Sequence, residues 1–123
     1  MSDCNVCIYA EADGTVEFFH KEIRAARKEY KCCECDESIL VGQKYEAASG
    51  KYDGEFWDCK TCLLCAEIAE TFYCDGRMFG GDLWDNMSDS AFEEMNTACL
   101  DRLTTAAAKE FLLKRWNEWK FGR

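Results

Sequence analysis

The chain reads as a mixed α+β fold, in which a β-hairpin and a helix are drawn together by cysteines and a C-terminal helical hairpin follows. Three observations predict it. Two Cys-x2-Cys pairs, Cys32 with Cys35 and Cys62 with Cys65, stand 26 residues apart. Between them, apolar and aromatic segments flank an Asp53-Gly54 turn, the strongest short-range hairpin signal. Beyond them, apolar residues fall at helical spacing through the last third of the chain.

Taken in order, residues 1–19 read as an irregular, partly extended arm with a turn at 12–14. Residues 20–31 suit either a short helix or an extended basic strap, and periodicity does not choose. Cys32-Cys33-Glu34-Cys35 forms a cysteine-bearing turn before strand-like Ile39-Leu40-Val41 and 44–49. After the Asp53-Gly54 turn, Glu55-Phe56-Trp57-Asp58 returns toward Cys59, Cys62 and Cys65. Good helix formers occupy 66–72. Residues 74–86, punctuated by Gly76, Gly80 and Gly81, read as loop. Ser88 or Ser90 can cap a helix carrying Phe92, Met95, Cys99 and Leu103, and Thr104 or Thr105 a second one carrying Ala108, Phe111, Leu112, Trp116 and Trp119. The organisation is a cysteine-rich module with its arm over 1–75 and a loop plus helical hairpin over 76–123, packed as one unit.

The composition, 48% hydrophobic and 32% charged, suits a packed core. The start of the chain lacks the basic and apolar run of a signal peptide, and no window is apolar enough to span a bilayer, so the expected compartment is a reducing cytoplasm without a membrane role. There, ten cysteines point to metal rather than to disulfides. Net charge is −9, which opposes nucleic acid overall. Two basic elements interrupt the acidity: 20–31, with Lys21, Arg24, Arg27, Lys28 and Lys31, and the terminal 109–123.

Zinc takes four soft ligands in a tetrahedron, and two Cys-x2-Cys turns deliver two sulfurs each. A turn pair, a hairpin and a second pair at a helix start describe a treble-clef-like zinc module with Cys32, Cys35, Cys62 and Cys65 as ligands of Zn²⁺. A second zinc is open to Cys4, Cys7 and Cys74 with Cys33 or Cys59. Cys99, on an apolar stripe, reads as a small buried hydrophobe. Cys59-x2-Cys62-x2-Cys65, with Cys74 at longer range, leaves an iron–sulfur or redox alternative, although the ferredoxin run's closing Cys-Pro is missing.

Lys31-Cys32-Cys33-Glu34-Cys35 with Ile39, Gly42 and Tyr45, then Gly50, Asp53-Gly54 and Cys62-x2-Cys65, resembles a family of small cysteine-rich proteins of tailed bacteriophages and prophages. The Phe72-Tyr73-Cys74-Asp75-Gly76 segment leading into Leu83-Trp84 is similar too. The resemblance implies a phage origin, a bacterial host cytoplasm and a zinc-bound architecture, and no reaction. Cys59 departs from the family pattern.

Catalytic signatures are absent: no phosphate-binding, nucleophile-elbow or zinc-protease pattern occurs, and the single histidine, His20, reads as a surface residue. The expected function is therefore non-enzymatic: an acidic, zinc-stabilised module binding another protein, a host factor, with acidic inhibition of a host nucleic-acid or defence enzyme as one form of it. Trp119 and Phe121 near the terminus are candidate anchors for such a partner. The alternative is a zinc-finger-type nucleic-acid-binding or transcription regulator that contacts phosphate through Lys21, Arg24, Arg27 and Lys28.

Overall fold

The computed structural model describes residues 4–9, 16–52, 54–74 and 81–122, without the side chains of 16–19 and 52. The expected turn at 12–14 and residues 75–80 lie outside this description.

The basic strap is resolved as strand, not helix. β1 (Val16–Ala25) pairs antiparallel with β4 (Lys44–Tyr52), with a register shift between Val16 and Phe18. β4 in turn pairs antiparallel with β5 (Glu55–Cys62), giving the order β1-β4-β5. Tyr52 pairs with Glu55 at the end of the β4–β5 ladder. Gly54 has φ 86° there, the left-handed region that glycine enters without steric cost. β2 (Tyr30–Lys31) and β3 (Ser38–Ile39) form a two-stranded ribbon around the Cys32–Cys35 turn. Asp36, with φ 63°, lets the chain turn back between them.

Helix α1 (Leu63–Phe72) follows β5 without a break and begins three residues earlier than 66–72. Residues 83–86 are helical, where the sequence suggested loop. α2 (Leu83–Asn86), a π-helical stretch Met87–Ala91 and α3 (Phe92–Glu94) run together. The single helix expected from Phe92 to Leu103 is broken. Met95 has ψ 144°, and Asn96 is extended and accepts the Ala98 N–H at 2.9 Å, starting α4 (Thr97–Leu100) afresh. Short polar side chains compete with the helix in this way. Ser90 does not cap; its hydroxyl donates back to Asn86 O. α5 (Ala106–Phe121) starts where expected, with Thr105 accepting from Ala108 N–H.

One core joins the two halves. Val6 and Ile8 of the arm, Ile39 and Tyr45 of the ribbon and sheet, Ile68 and Phe72 of α1, and Leu83, Met87, Phe92, Leu112 and Trp116 all belong to it. Three polar ties pin it together. Glu67 of α1 accepts from the backbone and hydroxyls of Thr104 and Thr105 at the start of α5. Arg102 donates to Val6 O and Thr71 O, both at 2.7 Å, over the Phe72 ring. Glu34 Oε1 accepts from Gly81 and Leu83 N–H. No helix of the described residues is long and apolar enough to cross a membrane.

Candidate metal centre

Cys32 and Cys35 sit in the β2–β3 turn, Cys62 ends β5 as the N-cap of α1, and Cys65 lies in the first helical turn. Extended β4 and β5 carry the chain out and back, so the 26 intervening residues return the second pair to the first. The four sulfurs all lie within 4.8 Å of one another. Cys35 and Cys62 sulfurs are 3.8 Å apart, close to the spacing of ligands around one ion. Cys32 Sγ accepts two backbone N–H groups, from Glu34 at 3.4 Å and Cys62 at 3.3 Å. Such bonds stabilise a thiolate. Cys32, Cys62 and Cys65 are buried, and Cys35 is half-buried at the edge of the cluster.

The protonation of this cluster explains why it suits a cation. Hydrogen bonds from Cys35, Cys62 and Cys65 draw the Cys32 thiol far below its ordinary range. Cys35 is also lowered: its bond to Cys32 works against ionisation, and those to Cys62 and Cys65 work for it. Cys62 and Cys65 are pushed up, each chiefly by Cys32 and then Cys35. Four crowded sulfurs cannot all ionise by themselves, and a divalent cation removes that conflict. Cys32, Cys35, Cys62 and Cys65 thus form a site able to hold a metal ion.

The six remaining cysteines are paired, which corrects the expectation that none forms a disulfide. Cys4 bonds to Cys99, Cys7 to Cys74 and Cys33 to Cys59. The second metal group expected of Cys4, Cys7, Cys74, Cys33 and Cys59 is not brought together; among the described residues the one ligand cluster is the four-cysteine site. The physical reason is the arm. Ile8 bridges to Tyr73 and donates to Phe72 O, and Arg102 holds Val6, so Cys4 meets α4 and Cys7 meets the end of α1. Cys99 is buried as expected, but as a disulfide partner. The ferredoxin-like run is not assembled either, because Cys59 and Cys74 are taken up elsewhere. Thr61, fully buried, sets its hydroxyl 3.4 Å from Cys33 Sγ and 3.3 Å from Cys59 Sγ.

His20 is exposed and lies 3.4 Å from Glu22. Trp119 is half-buried, its ring centroid 5.7 Å from that of Phe92, so of the two candidate anchors only Phe121, 79% exposed, offers an open ring. Lys21, Arg24, Arg27 and Lys28 are all exposed. Arg24 pairs with Glu22, while Lys21 lies 4.0 Å from Glu46. Glu34, Glu67 and Arg102 escaped the sequence reading. Glu34 carried a signal, sitting between two ligand cysteines; the other two had none, because their partners are remote in sequence.

Comparison of the chain with family models, curated proteins and solved structures returns no match.

Proposed function

We propose that this chain is a non-enzymatic, zinc-stabilised module that binds another protein. The observation that carries the reading is the cluster of four cysteines. With all four ligands sulfur, Zn²⁺ would have no open position for water or substrate, which is the signature of a structural and not a catalytic site. In this reading the β2–β3 turn is a zinc knuckle, β4 and β5 the hairpin and α1 the helix of a treble clef. The clef's helix and the elements packed beside it then supply the binding surface. A phage origin, a host protein as partner and a host cytoplasmic location belong to the same proposal and rest on the sequence resemblance alone.

Metal analysis of the purified chain tests it: one zinc per chain is expected, with loss of near-UV circular dichroism on chelation. No zinc, or a fold indifferent to chelation, overturns it. A brown protein with visible absorbance indicates iron instead.

A second reading, nucleic-acid binding, is favoured by one feature. Arg24, Arg27, Tyr30 and Tyr45 line a concavity of about 720 Å³, and the Lys28 and Lys60 ammoniums stand 5.8 and 4.8 Å from the Tyr30 ring centroid. Cations around an aromatic face suit a phosphate and a stacked base. A low-salt titration with single-stranded and duplex oligonucleotides separates the readings, since binding that falls steeply with salt supports this one.

A further inference from the structure

The strand separation in a sheet is about 4.8 Å and a helix with its side chains is about 10 Å across, so one helix covers about two strands. Here α1 lies against β4 and β5. The outer strand β1 lies at the edge of the sheet, beside β4. Ile23 of β1 pairs with Glu46 of β4, so the two side chains share a face. That face opens into a groove of about 620 Å³ between β1, the first turns of α1 and the start of α5. Its apolar floor is Ile23, Leu63 and Leu64, with Ile23 55% and Leu63 42% exposed. An exposed isoleucine and leucine in one concavity cost solvation free energy unless something covers them.

The charge along the groove says what covers it. The ionisable residues lining it are Glu46, Glu67 and Glu70, all acidic. Glu46 is buried, with Lys21 4.0 Å away at the margin, and Glu67 is engaged by Thr104 and Thr105. Glu70 is exposed at the rim. We infer that this groove is the docking site for a short segment of a partner protein in which apolar side chains alternate with Arg or Lys. The apolar side chains would cover Ile23 and Leu63 while a cation meets Glu70 at the rim. The volume suits a few residues of peptide. An acidic or polyanionic partner is repelled by the same glutamates. The inference rests on the protein-binding reading and names the surface it uses.

The test is an amide chemical-shift titration of the metal-loaded, ¹⁵N-labelled chain. Its probes are the capped peptide Arg-Leu-Arg-Leu, the counterpart Glu-Leu-Glu-Leu and the neutral Ser-Leu-Ser-Leu. The arginine peptide is expected to shift Ile23, Leu63, Leu64 and Glu70 amides, with affinity falling several-fold in high salt. Glu70→Lys should weaken it at least tenfold, and Ile23→Ser likewise, both at exposed positions that leave the fold intact. Equal binding of the glutamate peptide overturns the groove. Shifts clustered around Phe121 also overturn it, but leave the protein-binding reading standing. If no peptide shifts any residue while an oligonucleotide shifts Arg24, Arg27 and Tyr30, the groove and the protein-binding reading fall together.

Discussion

The disulfide Cys33–Cys59 and the four-cysteine cluster staple the same two pieces of chain, and this makes their energetics interdependent. Cys33 lies between the ligands Cys32 and Cys35, and Cys59 lies three residues before the ligand Cys62, so the disulfide holds the two ligand pairs together before any metal binds. Replacing both by alanine, Cys33→Ala with Cys59→Ala, removes that preorganisation. The sequence separation is 26, and the chain-entropy relation for closing a loop of this length gives about 3.5 kcal/mol. If the metal-free turn came loose entirely, metal binding would have to supply all of it, weakening the metal by about 300-fold at most. Noncovalent ties reduce the loss: Cys33 N–H still donates to Lys60 O at 2.8 Å, Ile39 is fully buried, and the Tyr30 and Tyr45 rings pack at 5.6 Å. The expected weakening is therefore roughly tenfold to a hundredfold. Competition against a colorimetric zinc chelator, with intact and variant chains side by side, measures it. An unchanged affinity would show that the turn needs no covalent tie to meet α1, and the reasoning would fail.

Thiol titration of the unfolded, unreduced and metal-stripped chain should read four free thiols, those of Cys32, Cys35, Cys62 and Cys65; ten would contradict the pairing. Glu67→Gln should cost about 1–2 kcal/mol by urea unfolding, because its carboxylate holds the start of α5 through charge-assisted bonds. Burial opposes ionisation of Glu67, but the bonds from Thr105 and Thr104 outweigh it and hold its carboxyl below the ordinary value. The folded pKa is thus depressed. Its contribution is complete above the unfolded pKa and disappears as pH falls through the folded one, so the gap between parent and variant should close in acid. Leu112→Ala, at a fully buried position, should cost about 2–5 kcal/mol by the same assay. Phe121→Ser, at an exposed position, should change unfolding by under about 0.5 kcal/mol.

The parts of the molecule legible in the sequence are those whose cause is local. The spacing in Cys32-x2-Cys35 and Cys62-x2-Cys65 presents two sulfurs from one turn wherever that turn lies. Asp53-Gly54 announces its own reversal, and Thr105 followed by Ala108, Leu112 and Trp116 announces a capped, amphipathic helix. Local signals also misled. Phe92, Met95, Cys99 and Leu103 match one helical stripe, yet Asn96 diverts the chain by capping α4, so the same residues reach the core from separate segments.

What the sequence alone determined is that each Cys-x2-Cys turn presents two ligand sulfurs and that a helix follows the second pair, because each depends on chemistry within a few residues. That the two turns meet was left to the pairing of β4 with β5. Only the tertiary structure decided that 16–25 is a strand, that the arm reaches α1 and α4, and that six further cysteines pair across separations of 95, 67 and 26 residues. Strand pairing and sulfur partnership are satisfied by whatever lies opposite in space, and no local pattern in the chain encodes what that will be.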